Sequence, residues 1–322
     1  MLKKSSVIGC GSYLPSKIVS NQDLAKFVDT SDEWIKTRSG ISQRHIAADD
    51  IVTSDLGEVA ARRALEHAER SPADIDLIIV ATTTPDRTFP ATAAYIQHKL
   101  GARRGGAAFD VQAVCSGFVY ALSAASALIA TGQAKTALVI GAETMSRILD
   151  WNDRATSVLF GDGAGAVVLE ATDDHCASYI IDHHMACDGA QADLLYVDGG
   201  PSFNRQVGHL RMKGKEVFRY AVENISHTVK TLLSRNNLSV RDIDWFVPHQ
   251  ANERIIKAVA QRIGMPPEKT VISVAKHANT SAASIPLAFD LAVKDGRIKK
   301  GQLVMTEAMG GGLTWGGNLF RY

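Results

Sequence analysis

Cysteine is scarce in this chain, neither sign of charge is in excess, and no long apolar run occurs. Only four cysteines, Cys10, Cys115, Cys176 and Cys187, are spread through 322 residues. They form no C-x-x-C pair and no dense framework, so free thiols in a reducing cytoplasm are expected. The formal net charge is +1. That excludes a broad basic field for nucleic acid, and any basic partner site must be local. No stretch approaches the ~20 apolar residues of a membrane helix. Met1 to Ser6 lacks the apolar region of a signal peptide. A cytoplasmic protein without membrane or nucleic-acid partners is therefore expected. Its 46% hydrophobic and 21% charged residues suit a globular chain of two domains, or one domain made of two halves.

What is present looks duplicated. Ala73-Asp74-Ile75-Asp76 leads into the apolar run Leu77 to Ala81, and Arg241-Asp242-Ile243-Asp244 leads into Trp245 to Val247. An amphipathic helix precedes each, Leu56 to Ala68 and Val217 to Leu233. A second helix follows each, ending in Leu100-Gly101 and Ile263-Gly264. A strand, a turn and an Ala/Ser-rich helix come next, closed by the strands Ala137 to Gly141 and Gln302 to Thr306. Helices alternating with continuous apolar runs predict an α/β fold with buried strands. Two lobes related by a pseudo-twofold are expected, residues 1–172 and 173–322, divided near Thr172-Asp173-Asp174. The Gly- and Asp-rich stretch from His183 to Gly208 reads as an irregular insertion with short strands.

Cys115 lies where an apolar strand hands over to an Ala-rich helix. Unpaired amides and the positive end of the macrodipole can favour a thiolate there. Taken alone, most single cysteines are small buried hydrophobes. The repeat offset between Gly132 and Gly296 is 164 residues (296 − 132), and from Cys115 it lands on Asn279. An Asn at the equivalent turn would present an amide opposite the thiol. His249, in Val247-Pro248-His249-Gln250, follows a strand and precedes a helix. Ligands in α/β folds gather beyond such strand ends. Gly310, Gly311 and Gly312 read either as a tight turn or as a backbone amide aimed at an oxyanion. Phe160-Gly161-Asp162-Gly163-Ala164-Gly165 leads into a strand, Ala166 to Glu170, with no helix N-terminus to receive phosphate. His183 and His184 are adjacent, so their side chains diverge in extended structure, and no metal site is expected.

Taken in order, with Gly9 to Pro15 and Thr30 to Ile41, these phrases resemble β-ketoacyl-[acyl carrier protein] synthase III over essentially the full chain. That family initiates type II fatty acid synthesis. The resemblance implies a thiolase-like fold, two duplicated α/β lobes in a layered αβαβα arrangement. It implies a catalytic triad of Cys115, His249 and Asn279, with the amides of Cys115 and Gly311 as oxyanion hole. The implied reaction is a decarboxylating Claisen condensation of an acyl-CoA, acetyl-CoA first among them, with malonyl-acyl carrier protein. Acyl-CoA is then a substrate, and no cofactor is expected.

By the same resemblance Thr30, Trp34, Arg38, Arg154, Phe218 and Asn252 would contact CoA. Gln250, Ala251, Asn252, Glu253, Arg254 and Lys257 would meet the acidic carrier protein, with Lys215, Arg219 and Arg262 extending the basic patch. In a homodimer, Phe89 would close the acyl pocket of the neighbouring protomer, and Met309 would line it. Ser116, Met309 and Leu313 depart from the family's common residues, which reshapes the pocket without removing a catalytic group. The alternatives are a related enzyme using other acyl groups in secondary metabolism, a non-catalytic acyl-carrier scaffold, and an NAD-binding oxidoreductase, for which the glycine patterns give little support.

Overall fold

The computed structural model describes residues 3–173 and 176–322. Its first half contains β1 (Lys4–Tyr13), β2 (Lys17–Ser20), α1 (Asn21–Leu24), α2 (Asp32–Ser39), β3 (Gln43–Ile46), α3 (Thr53–His67), β4 (Leu77–Ala81), α4 (Thr92–Leu100), β5 (Ala107–Val111), α5 (Gly117–Ala130), β6 (Thr136–Thr144) and β7 (Asp162–Thr172). The second contains β8 (Tyr179–Cys187), β9 (Leu195–Val197), β10 (Leu210–Met212), α6 (Gly214–Arg235), β11 (Trp245–Pro248), α7 (Glu253–Ile263), α8 (Val274–His277), α9 (Ser284–Lys294), β12 (Leu303–Gly310) and β13 (Thr314–Arg321).

Two sheets, ordered β1-β7-β6-β4-β5 and β11-β12-β13-β8, carry the duplication. In each, a parallel pair (β4 with β6, β11 with β12) is followed by two antiparallel pairings (β6-β7-β1, β12-β13-β8). The second-half counterpart of β5 shrinks to a single parallel bridge, Phe246 to Thr270. Side chains on β4 alternate between layers: Leu77, Ile79 and Ala81 face the centre, while Ile78 and Val80 face α3 and α4. Helices α5 and α9 lie between the sheets, and α6 and α7 cover the outer face of the second. The result is the five-layered, thiolase-like arrangement expected.

A helix held between two sheets must be apolar all round. That is why α5 is built of Ala, Leu, Phe and Ile, with Ala121, Leu122 and Ala125 essentially fully buried. Each large member of this layer, Phe118 or Phe289 for example, contributes about 1.5–3 kcal/mol by burial.

Three expectations need correction or restriction. Strand β7 begins at Asp162, inside the glycine phrase and ahead of Ala166. A Cβ on Gly165 would lie 2.7 Å from the Leu287 amide, so the glycines let α9 close on the strand. His183 to Cys187 is not irregular but belongs to β8, paired along β13. Its pattern is masked because His183 bonds the buried Asn318 at 2.9 Å, while His184 turns to Thr228 at 3.1 Å. Irregular backbone starts only after Cys187. At the lobe boundary, β7 ends at Thr172; Asp174 lies outside the described residues, as do Met1 and Leu2. Among the described residues no helix is long and apolar enough to cross a membrane.

Candidate active site

A single turn of 3-10 helix, Val114–Ser116, carries Cys115 into α5. Val114 holds a left-handed φ of 50°. The matching turn of the second half is Ser281–Ala283, which leads into α9 and opens with Ser281 at a φ of 49°, 167 positions on (281 − 114). This corrects the expected equivalence: the counterpart of Cys115 is Ala282, and Asn279 lies three residues before it, because α5 is three residues longer than α9. Asn279 is anchored through its backbone: its N–H donates to Leu159 O at 2.9 Å, and its carbonyl accepts from Gly161 N at 3.0 Å. Its side-chain Oδ1 accepts from Ser281 N at 2.9 Å, which leaves Nδ2, unpartnered among the described residues, as the donor end.

The end of β12 meets the nucleophile turn. A Cβ on Gly310 would lie 2.6 Å from the Cys115 amide nitrogen, so only glycine fits. Among the described residues, neither the Cys115 nor the Gly311 amide donates to another protein group. His249 stands just beyond β11, its N–H donating to Glu307 O at 2.8 Å. Its Nδ1 lies 2.5 Å from Ser284 Oγ. That oxygen already accepts from Gln250 N–H at 3.3 Å. Among the described residues the Ser284 hydroxyl has no other acceptor, so it donates to Nδ1 and the imidazole carries its own proton on Nε2.

Cys115, His249, Asn279, Glu307 and Met309 line one cavity of about 560 Å³, which continues past Phe218, Asn252 and Arg254 to Trp34 and Arg38. Burial governs its charges. It pushes the Cys115 thiol up to about 12, the Glu307 carboxyl up to about 8 and the His249 imidazole down to about 3. The resting group is thus a thiol, not the thiolate that a helix N-terminus alone would favour. Desolvation outweighs the helix end here. Glu143, fully buried on β6, accepts from the Thr83 and Thr84 hydroxyls at 3.0 and 2.6 Å, and burial raises it too.

Of the residues placed at the CoA end, the Trp34 ring is flanked by the guanidinium groups of Arg38 at 4.7 Å and Arg154 at 5.3 Å. Arg154 also donates to Asp29 O at 3.0 Å. Phe218 lies beneath Arg254 at 5.8 Å. Thr30 does not line the cavity, and its Oγ1 is buried without a partner among the described residues. Ala251, Asn252 and Arg254 border the cavity, and Lys215 joins them. Glu253 pairs with Lys257 at 2.6 Å.

Gln250 is a correction: it cannot meet a carrier protein. Its side chain is fully buried, donating to Pro248 O and Val271 O and accepting from Ser273 N. Phe89 is 81% exposed and does not line the cavity of its own chain. Two site residues had no sequence signal. Ser284 reaches His249 across 35 residues. Glu307 has one carboxyl oxygen buried without a partner among the described residues, and its phrase drew notice only for the glycines.

A buried cysteine at the start of a central helix of a doubled α/β frame, with a histidine and an asparagine lining the same cavity, defines a thiolase-like condensing enzyme. The comparisons with known proteins make the class particular. The family described as 3-oxoacyl-[acyl-carrier-protein (ACP)] synthase III matches residues 109–189, and its C-terminal part matches residues 233–322. The β-ketoacyl-[acyl-carrier-protein] synthase III of Paramagnetospirillum magneticum is 61% identical, over all of both chains. The crystal structure of 3-oxoacyl-[acyl-carrier-protein] synthase III from Aquifex aeolicus is 46% identical, covers 99% of this chain and 100% of its own, and superposes with a TM-score of 0.94. That of the Pseudomonas aeruginosa enzyme is 41% identical, covers 99% and 98%, and also scores 0.94. The chain belongs to the β-ketoacyl-[acyl carrier protein] synthase III family, acyltransferases that act as condensing enzymes of fatty acid synthesis.

Proposed function

We propose that this enzyme condenses an acyl-CoA primer, acetyl-CoA first among them, with malonyl-acyl carrier protein, releasing CoA and CO2. The observation that carries this reading is the convergence of Cys115, His249 and Asn279 on one cavity, with His249 held by Ser284. Cys115 attacks the primer thioester as its S–H bond breaks, and the proton ends on the departing CoA sulfur. Acylation splits one difficult step into two. The Cys115 and Gly311 amides stabilise the oxyanion.

Malonyl-carrier protein then loses CO2, and the electron pair becomes an enolate. His249 Nε2–H and the Asn279 Nδ2 amide donate to its oxygen. Each is neutral, so each donates without titrating near pH 7; one such donor contributes ~3 kcal/mol. The enolate carbon attacks acyl-Cys115, the 3-oxoacyl-carrier protein leaves, and the thiolate takes a proton from water. No cofactor takes part.

Trp34, Arg38, Arg154, Phe218 and Asn252 are assigned to CoA, and Arg254, Lys257 and Lys215 to the acidic carrier. The lobe of residues 1–172 brings the nucleophile and that of 173–322 brings the donors. A cytoplasmic homodimer, with Phe89 entering the neighbour's acyl pocket and Met309 lining it, completes the reading. It calls for no nucleic-acid or membrane partner.

Mass spectrometry after mixing with acetyl-, butyryl- and branched acyl-CoA tests it. An acyl adduct on Cys115, followed by a 3-oxoacyl product once malonyl-carrier protein is added, is expected. Failure of every primer to label Cys115 would sink the reading. Labelling by branched or longer primers in place of acetyl would move the enzyme to secondary metabolism.

A further inference from the structure

Ser116 follows the nucleophile and is fully buried. Its Oγ lies 2.7 Å from Ala113 O and 2.7 Å from Thr314 Oγ1. Thr314 Oγ1 lies 3.0 Å from the same Ala113 oxygen and 3.1 Å from Gly311 O. Two hydroxyl protons are thus shared among these contacts. The Ala113 oxygen already accepts the Ser116 backbone N–H at 3.1 Å. Two protons fill two of the four contacts, and the arrangement that leaves no oxygen without a partner is a chain: Ser116 O–H to Thr314 Oγ1, and Thr314 O–H to Gly311 O. Hydroxyls linked in series polarise and strengthen one another.

This chain bridges the two backbone segments that carry the oxyanion donors. Ala113 and Ser116 bracket the Cys115 amide; Gly311 and Thr314 bracket the turn that carries the other. Those segments lie about two hundred positions apart (314 − 116 = 198) and touch without a side chain where Gly310 meets the Cys115 amide. Such close backbone approach gives contact but little directional hold. We propose that the Ser116–Thr314 hydroxyl pair is a clamp that fixes the aim of the Cys115 and Gly311 amides. Both are positioning residues, and neither touches substrate.

The inference rests on the reading of those two amides as the oxyanion hole. Removing the Ser116 hydroxyl takes away the 2.7 Å side-chain link between the two segments and leaves Thr314 Oγ1 without its donor. Removing the Thr314 hydroxyl takes away that link and the Gly311 carbonyl's side-chain partner together, and in both cases the glycine turn is freer to shift.

The test uses Ser116→Ala, Thr314→Val and Thr314→Ser in the full chain, with whichever acyl-CoA of the primer panel labels Cys115 fastest. Two rates are measured: single-turnover acylation across acyl-CoA concentrations, and alkylation of Cys115 by iodoacetamide. Alkylation develops no oxyanion, so a clamp on the oxyanion hole does not affect it. Ser116→Ala and Thr314→Val are expected to lower the maximal acylation rate by about tenfold or more. The half-saturating acyl-CoA concentration and the alkylation rate should stay within about twofold. Thr314→Ser, which keeps the hydroxyl, should recover the rate. Full acylation rates in the first two variants would overturn the clamp, and so would an equal loss in both reactions. If no acyl-CoA labels the unaltered protein, the proposed function itself falls, and the clamp with it.

Discussion

The Glu307 carboxyl lies at the cavity beside His249 with one oxygen unpartnered among the described residues, and burial lifts it to about 8. An acid raised in the folded state keeps a proton that the unfolded chain releases from its ordinary value of 4.5 upward. Its contribution to stability is fully present below 4.5 and is lost as pH rises toward about 8. Glu307→Gln cannot ionise. The urea midpoint of the variant, relative to the unaltered enzyme, should therefore climb between pH 4.5 and 8 and stay level below that window. A difference that does not change with pH would show that Glu307 is ionised in the fold. His249 works on the opposite limb. Its imidazole, lowered to about 3 by burial, supports the fold above its ordinary value of 6.5 and ceases to as pH falls below that toward about 3. His183 and His277, both lowered to about 4, act in the same direction.

At the scale of elements, α2 and α7 meet through one side chain. Asn252 caps α7, its Oδ1 accepting from Arg254 N at 2.8 Å, and its Nδ2 donates to Arg38 O near the end of α2 at 3.0 Å. Gly40, which ends α2 with a left-handed φ of 78°, packs so closely on Glu253 that a Cβ would collide with its side chain. Asn252→Ala should lose about 1 kcal/mol of stability with the cap. It should also weaken acyl-CoA binding several-fold, because Arg38 and Trp34 lose their brace, while the maximal acylation rate holds. Asn252→Asp keeps the cap acceptor but not the donor, so it should restore the thermal midpoint and leave binding weak. Recovery of both properties together would show that the cap alone matters.

Element-level relations also mark what the sequence could reveal. Asn279 was reached only approximately: the spacing of 164 holds at the glycines after α5 and α9, but it is 167 at the helix starts, where Ser281 repeats the left-handed φ of Val114, so the offset from Cys115 fell three residues short of its counterpart Ala282. The layers were legible because β4 and α5 advertise burial in their own side chains. Ser284 was not legible, since its bond to His249 crosses from one element to another and leaves no local mark. Gln250 misled because it neighbours His249 along the chain yet points into the protein, where it binds four backbone groups. Strand β8 was missed because a hydrogen-bonded histidine occupies a position where alternation calls for an apolar residue.

At the scale of the whole molecule, the two halves share one central layer. Helices α5 and α9 come from different halves, and each packs in a core that draws on both sheets, from Val7 and Ile79 to Val304 and Phe320. Phe289 on α9 sits at the heart of it, 2% exposed, with its ring edge-on to Phe320 at 5.6 Å and to Tyr322 at 5.1 Å. Neither half can cover this layer alone, so each would expose its central helix if the other unfolded. The halves should therefore unfold together. Trp34 and Trp151 report from the first half, and Trp245 and Trp315 from the second. Variants with either pair replaced by Phe should give the same urea midpoint by fluorescence. Phe289→Ala, expected to remove about 3–5 kcal/mol, should lower both midpoints equally. If the second-half midpoint falls alone, the layer does not couple the halves, and the alignment of Cys115 with His249 and Asn279 must come from contacts around the cavity itself.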